Sequence, residues 1–263
     1  MGSKVVIGTC RLCLKANREL CDSHYVPAAV YRQLREDKAK KPDPWIITPR
    51  ASVQTSRQLS AHLLCEDCEG MFSSNGEDWV GRHFLKADGS FKLATILAAQ
   101  TPLAATSDDP TRVYLAANIP EVDPGALAYF AASVFWRGSI YPWNDDRTIP
   151  VPLGKYGEDF RKYLLGESPF PTHAALIVSV RQGGDVSMTT MLPYAGKVDG
   201  ARGYNFLMPG LAFVLGVGRD ISPRMKKYCF VRGVGNPIAS TPAVEPHVEQ
   251  VARRMHIANK RNR

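Results

Sequence analysis

Two Cys-x-x-Cys pairs constrain the fold of this chain more than any other feature of its sequence. The first pair is Cys10 and Cys13, and the second is Cys65 and Cys68. Each pair presents two thiolates on one side of a tight turn, and two such turns close a tetrahedral zinc site without an open position. The residues between the pairs leave room for a strand, a helix and a loop. We therefore predict a structural Zn²⁺ site with these four cysteines as ligands.

A second ligand set remains open. Cys10, Cys13, Cys21 and His24 give the pattern C-x2-C-x7-C-x2-H, which could close a compact zinc site alone. This set gives no role to the second Cys-x-x-Cys pair. The sixth cysteine, Cys229, lies in an apolar run and is interpreted as a core thiol.

The composition is that of an ordinary globular protein, with 44% hydrophobic and 22% charged residues. No apolar run approaches the roughly 18 residues that a membrane span needs. The start of the chain lacks the apolar region of a secretory signal. Clustered cysteine pairs without such a signal indicate zinc rather than disulfides. We therefore expect a cytoplasmic protein that does not enter membranes.

The formal net charge of +8 favours a polyanionic partner. Near the C-terminal end, five basic side chains outnumber two acidic ones: Arg253, Arg254, Lys260, Arg261 and Arg263 against Glu245 and Glu249. Such a tail could neutralise phosphates and make binding depend on salt, although it could equally be a solvated terminus. We expect a nucleic-acid partner, with DNA favoured. A protein partner or a homo-oligomer also remains open.

The chain is predicted to have two parts. Residues 1–88 form a cysteine-rich module, and residues 89–263 form an α+β domain of unknown role with a mostly antiparallel sheet and a basic C-terminal helix or tail. Predicted helices lie at 28–40, after the second cysteine pair with an interruption at 73–76, and at 123–136, 157–166 and 243–258. Predicted strands lie at 174–180, 187–192, 204–208, 212–217 and 228–231, with a hairpin turn at 182–185.

The order of motifs in residues 8–85 resembles the zinc-stabilised form of the ββα-metal, or HNH, endonuclease family. In that family a first Cys-x-x-Cys precedes an Asp-His-hydrophobic-hydrophobic-Pro strand, an Asn-containing loop, and Leu-Cys-x-x-Cys on a helix with a His or Asn. This chain has CRLC at 10–13, SHYVP at 23–27 and LCEDCE at 64–69. It also resembles uncharacterised bacterial proteins with an SHxxP…LLCEDCE pattern. The resemblance implies a treble-clef zinc module.

The resemblance also implies a metal-dependent DNA endonuclease, in the setting of bacterial defence against phage. By position, His24 would be the general base that deprotonates the attacking water. Asp22 and Glu69 would serve a divalent cation, Mg²⁺ or Mn²⁺, that stabilises the leaving oxygen. Ser60 falls near the middle Asn. Zn²⁺ would have a structural role only.

The match departs from the family pattern at several positions. Ser23 stands where the family has a metal-binding Asp, but Asp22 and His24 would point to the same side of a strand because side chains alternate. Glu69 replaces the final His or Asn and is itself a good ligand for a hard cation. Two further carboxylates follow at Glu77 and Asp78. They could help to bind the cation, or they could simply form a solvated helix face.

Two functions from different classes follow from these motifs. The first is the HNH-like endonuclease, and the second is a non-catalytic zinc module that binds nucleic acid or a protein partner. His24 could be a general base, a zinc ligand or a structural histidine. An endonuclease needs Asp22, His24 and Glu69 to converge on one open cation site separate from the zinc. Residues 89–263 contain no P-loop, GxSxG or GxGxxG motif.

Overall fold

Helices and strands are interspersed along the chain. The computed structural model describes residues 5–35, 45–47, 52–54, 58–105, 110–143, 149–182, 190–199 and 201–242. Its first elements are β1 (Ile7–Gly8), β2 (Arg18–Glu19), β3 (Cys21–His24), α1 (Ala28–Arg35), β4 (Trp45–Ile47), β5 (Ser52–Gln54), β6 (Ser60–Leu64), α2 (Glu66–Phe72), a π-helix (Ser73–Glu77) and α3 (Asp78–His83). The later elements are α4 (Lys92–Ala98), β7 (Ala104–Ala105), β8 (Arg112–Leu115), α5 (Pro124–Ile140), α6 (Gly157–Leu164), β9 (Ala174–Gln182), β10 (Thr190–Val198), β11 (Ala201–Met208), β12 (Leu211–Val217), α7 (Pro223–Lys227) and β13 (Pro237–Pro242).

One large sheet dominates the structure. Among the described residues its nine strands run in the order β5-β4-β10-β11-β12-β9-β13-β8-β7. Neighbouring strands are antiparallel except for the parallel pairs β4–β10 and β9–β13. The fold is therefore mixed α+β with a mostly antiparallel sheet, as the sequence predicts. Two small two-stranded sheets, β1–β2 and β3–β6, lie outside this sheet.

The predicted hairpin between β9 and β10 is wrong. Residues 183–189 lie outside the described residues, but the strands on either side of them are not neighbours. β9 pairs with β12 and β13, and β10 pairs with β4 and β11. The run Ala174–Val180 is almost entirely apolar, which suits a strand with partners on both edges better than a terminal hairpin. Longer-range pairing thus overrides the local Gly-Gly turn signal.

Several other elements agree with the sequence, with shifted ends. The helices predicted at 28–40, 123–136 and 157–166 are present as α1, α5 and α6, and residues 36–44 lie outside the described part. The helix predicted at 243–258, with the basic tail, also lies outside it. The strand predicted at 228–231 is wrong, since these residues form turns. Cys229 within them is buried beside Met225, which agrees with its predicted role as a core thiol.

Helix α5 lies at the centre of the core. It begins after Asp123, whose Oδ1 accepts a hydrogen bond of 2.9 Å from the Ala126 amide, and Pro124 occupies the first turn. Its residues from 126 to 138 are all buried, as expected for a helix that is apolar on every side. Phe130 packs on the sheet through Phe213, with ring centroids 5.7 Å apart.

The opposite side of α5 contacts the cysteine-rich part. Trp136 meets Phe72 of α2 edge to face, with centroids 6.0 Å apart. Leu12 and Tyr25 from the first part belong to the same apolar core as Phe206 of the sheet. The division at residue 88 stays a prediction, and side chains from both sides of it share this core.

The helical path from α2 to α3 passes through the π-helix at Ser73–Glu77. This is where the sequence predicts an interruption, because Ser, Asn and Gly are weak helix formers. Gly76 lies so close to α5 that an added Cβ would be 2.8 Å from the Phe130 backbone nitrogen. The wider turn and the missing side chain together let the two helices approach closely.

We predict that Gly76→Ala lowers the free energy of unfolding by about 1–3 kcal/mol, because the new methyl group meets rigid backbone of α5. Gly81→Ala in α3 is the matched control, since its Cβ would have no neighbour within 4 Å. That control should be neutral or stabilising by about 0.5–1 kcal/mol. Thermal and urea unfolding measure both. Equal stability of the two variants would contradict the close packing at Gly76.

Candidate metal centre

Four cysteine sulfur atoms converge at the start of α2. The Sγ atoms of Cys10, Cys13, Cys65 and Cys68 all lie within 4.8 Å of one another. Cys10 and Cys13 come from a turn closed by hydrogen bonds from the Cys10 amide to the Lys15 carbonyl and from the Leu14 amide to the Cys10 carbonyl, both 3.0 Å long. Cys65 caps α2 and Cys68 lies in its first turn.

The two cysteine pairs are also joined through the backbone. The Arg11 amide donates to the Leu63 carbonyl at 2.9 Å, which connects the first turn to the end of β6. The Cys65 amide donates to the Cys10 sulfur at 3.4 Å. Amide donors to sulfur stabilise thiolates over thiols. The local backbone therefore favours the thiolate form of Cys10, which is the form that binds a cation.

The spacing of the sulfurs fits zinc. Four Zn–S bonds of about 2.3 Å in a tetrahedron place the sulfur atoms about 3.8 Å apart, and the Cys13 and Cys65 sulfurs are 3.9 Å apart. Burial raises the pKa of the Cys68 thiol far above its usual value, and the nearby Cys10 raises this pKa further. Thiolates crowded in this way need a cation to stay charged. The cluster can therefore hold a metal ion such as zinc, and its four ligands leave no open position.

The alternative ligand set is not assembled. Cys21 and His24 do not belong to the four-sulfur group. Cys21 lies on β3 opposite Leu64. Burial raises the pKa of its thiol, and the negative charge of Glu69 adds a smaller increase. The described geometry thus favours the two Cys-x-x-Cys pairs over the set that includes Cys21 and His24.

Asp22, Ser23 and His24 lie along β3, which pairs with β6. Asp22 is exposed and His24 is half-buried, whereas Ser23 between them is only 1% exposed. This alternation places Asp22 and His24 on the same face, as the sequence predicts. Ser60, opposite His24, donates a hydrogen bond of 3.0 Å to Asp22 Oδ2. The β3–β6 sheet therefore groups Asp22, His24 and Ser60 at its open face.

Ser23 faces the interior. Its hydroxyl oxygen accepts a hydrogen bond of 3.2 Å from the Leu64 amide, just before the second cysteine pair. The position that holds a metal-binding Asp in the HNH-like pattern is therefore used to satisfy a buried backbone group at the end of β6.

Glu69 is turned toward α5. Its Oε2 lies 3.7 Å from Nη2 of Arg137, and Oε1 of Glu77 lies 2.6 Å from Nη1 of the same side chain. Arg137 is only 1% exposed, and its guanidinium also lies over the ring of Phe72, 4.6 Å from the centroid. Two of the carboxylates considered as ligands for a divalent cation, Glu69 and Glu77, thus face the buried guanidinium of Arg137. Asp78 is exposed on α3.

The predicted catalytic residues do not converge on a cation site. Among the described residues, the four cysteines form a group of three or more His, Cys, Asp or Glu side chains that are close enough together to hold a metal. This group includes none of Asp22, His24 and Glu69. Asp22 and His24 lie on β3, while Glu69 pairs with Arg137. These residues therefore do not fit a Mg²⁺ or Mn²⁺ ion as arranged, and their catalytic roles stay predictions.

Sequence reasoning missed two arginines that fix the module in place. Arg137 lies near the end of an apolar helix, where an arginine is usually exposed, but it is buried. Arg161 of α6 donates a hydrogen bond of 2.7 Å to the Leu12 carbonyl inside the first cysteine turn, and it also pairs with Glu158. The available signal was the position of a single Arg at 137 in a helix that is otherwise wholly apolar or small.

We predict that Cys65→Ser/Cys68→Ser abolishes bound zinc, because two of the four ligands are lost. Cys21→Ser is the matched control and should retain one zinc per chain. Metal content is measured by mass spectrometry on purified protein. A full equivalent of zinc in the double variant would instead support the set that contains Cys21 and His24.

We predict that Arg137→Met lowers the free energy of unfolding by about 3–5 kcal/mol, because the carboxylates of Glu69 and Glu77 lose their buried counter-charge. Adding Glu77→Gln to this variant should restore part of the loss. Arg18→Met removes an exposed pair with Asp67 and should leave stability unchanged within error. Urea unfolding compares the three. Equal effects of Arg137→Met and Arg18→Met would show that the buried pair does not hold α2 against α5.

Comparison with known proteins yields no relative. No protein-family model, no curated protein and no solved structure matches this chain. In the described part of the chain, none of the helices has the length and apolar character needed to cross a membrane. Function must therefore be argued from the geometry of the site itself.

Proposed function

We propose that the cysteine-rich part is a zinc-stabilised treble-clef module, and that the chain uses it to bind nucleic acid without cleaving it. The observation that carries the proposal is the closed four-cysteine cluster next to carboxylates that face Arg137. A site with four protein ligands has a structural role, because no position is left for a substrate or water. DNA is the favoured partner, in a reducing cytoplasm where the four thiols stay available.

The order of the elements supports a treble clef. A cysteine turn is followed by the antiparallel strands β3 and β6, and α2 then begins at Cys65. The cluster thus joins a turn, a two-stranded sheet and the start of a helix, each too short to fold alone. Zinc binding would supply the free energy that holds them together.

The charge of the chain supports a polyanionic partner. The net charge is +8, and Arg11 and Lys15 are exposed on the first cysteine turn. Basic side chains on a rigid turn can contact phosphates and release the counterions bound to them. The affinity of such contacts falls steeply with salt.

We predict that the full chain binds a fluorescein-labelled DNA duplex and that affinity falls about 10²-fold between 50 and 200 mM salt, as expected for about four phosphate contacts. Arg11→Ala/Lys15→Ala should weaken binding and flatten this salt dependence. Lys226→Ala/Lys227→Ala, on the exposed side of α7, removes the same charge far along the chain and is the matched control. Fluorescence anisotropy measures all three. Equal losses in the two variants would exclude the cysteine turn as the binding surface.

An HNH-like DNA endonuclease with a role in anti-phage defence is the second candidate. The observation that favours it is the open face of the two-stranded β3–β6 sheet, where Asp22, His24 and Ser60 lie together. In this reading His24 would accept a proton from the attacking water. The pairing of Glu69 with Arg137 argues against a cation site of the expected composition.

Cleavage of supercoiled plasmid in Mg²⁺ or Mn²⁺ separates the two candidates. The binding proposal expects a DNA complex and no nicking by the wild-type chain. Nicking that is lost in His24→Ala but kept in His62→Ala would overturn it and support the endonuclease. His62 is the matched control because it lies in the same two-stranded sheet and its Nδ1 contacts the Leu20 carbonyl.

A further inference from the structure

The first cysteine turn contains a leucine in a backbone conformation that leucine rarely adopts. Leu14 has a φ of 61°, in the left-handed region where the Cβ atom comes too close to the following carbonyl oxygen. The other described non-glycine residues with positive φ are Asn17, Asp199 and Asn236. Short polar side chains of this kind tolerate the region through local hydrogen bonds. Leu14 alone in this set is a residue type that does not suit its conformation.

The fold of the turn holds Leu14 in this conformation. Its amide donates a hydrogen bond of 3.0 Å to the Cys10 carbonyl, which closes the turn between the first two cysteines of the cluster. An extended residue at this position would leave that backbone bond unmade. The strain lowers the ratio of folded to unfolded chain about fivefold or more, compared with a residue that tolerates the left-handed region.

Burial does not account for this leucine. Leu14 is 56% exposed, whereas Leu12 of the same turn is fully buried. The carbonyl of Leu12 accepts the hydrogen bond from Arg161, and the Arg11 amide donates to the Leu63 carbonyl. The turn is therefore fixed on its inner side and presents Leu14 outward from a rigid base. Strained residues of this kind gather at functional sites.

The charges beside Leu14 fit a nucleic acid. Arg11 lies three residues before it and Lys15 directly after it, and both are exposed. No acidic residue occurs in the sequence from 5 to 18. Basic side chains contact phosphates, and an apolar side chain such as leucine can act as a wedge between neighbouring base pairs. A protein surface that accepted the leucine would have no need of the flanking cations.

We propose that Leu14 is a wedge that enters a base step of duplex DNA from the minor groove, while Arg11 and Lys15 contact the phosphates beside that step. This inference rests on the DNA-binding role proposed above and specifies how the cysteine turn engages the duplex. The minor groove is about 6 Å wide, which admits a side chain carried by a turn but not a helix. Insertion unstacks the step and bends the duplex by about 20–90°.

Fluorescence of 2-aminopurine, placed at the single TA step of a duplex, tests the wedge because stacking quenches this base. A TA step is chosen because pyrimidine–purine steps unstack easily. We expect the full chain to raise the emission at least about twofold on binding. Leu14→Asn should leave it at the level of free DNA, since asparagine suits the backbone but removes the apolar side chain. Leu14→Met, which keeps an apolar side chain, should retain the rise.

Leu103→Asn is the matched control for the loss of an exposed leucine. Leu103 is 67% exposed, so the same substitution is made at a leucine outside the cysteine turn. This variant should bind DNA and raise the emission as the wild type does.

Unfolding in urea separates a wedge from a structural leucine. Release of the strain should raise the ratio of folded to unfolded chain about fivefold or more in Leu14→Asn. Its metal content should stay equal to that of the wild type, because the four cysteines are unchanged. The variant is thus expected to gain stability while it loses the distortion of DNA. Leu103→Asn should show no such gain.

Four results would overturn the proposal, and they differ in what they leave standing. Unchanged emission in a wild-type complex that anisotropy shows to be saturated would remove the wedge and leave the binding role intact. A wild-type chain that forms no DNA complex would remove both. A rise in emission with Leu14→Asn equal to that of the wild type would show that another group unstacks the bases. Lower stability of Leu14→Asn would show that the leucine supports the fold.

Discussion

The burial of α5 on every side is the constraint on which the rest of the structure depends. A helix without a polar face must be covered all round. The sheet covers one side through aromatic contacts such as Phe130 with Phe213, and α2 covers another through Phe72 and Trp136. The cysteine-rich part is therefore more than an appended module, since it completes the core of the chain. Helix α2, which carries Cys68 of the four-cysteine cluster, thus also covers one side of α5.

Buried charge then decides how α2 sits on α5. Arg137 is fixed between Glu69, Glu77 and the ring of Phe72. Removing one partner of such a set is costly because a charge remains in the interior. The same carboxylates that could have held a divalent cation are thus used to neutralise an arginine. This arrangement is the physical reason for preferring a binding role to a catalytic one.

The two-stranded β3–β6 sheet beside the four-cysteine cluster offers part of the geometry that the second candidate function would require. Asp22 and His24 share its open face, and Ser60 donates to Asp22. Ser23, in contrast, points inward and satisfies the Leu64 amide, so it supports the second cysteine pair. A hydroxyl suits this buried position better than a carboxylate, which would carry an unpaired charge inside. The departures from the HNH-like pattern therefore have structural consequences as well as chemical ones.

The sequence by itself determined the features that depend on local spacing. The cysteine pairs identified the cluster, alternation placed Asp22 and His24 together, and the cap at Asp123 located α5. It could not determine which strands pair, because the partners of β9 come from β12 and β13, far along the chain. It also could not show that Arg137 is buried, because a single charged residue in an apolar helix is usually at the surface. Only the tertiary structure brings Glu69 and Glu77 to that arginine, since the contact joins elements some 60 residues apart.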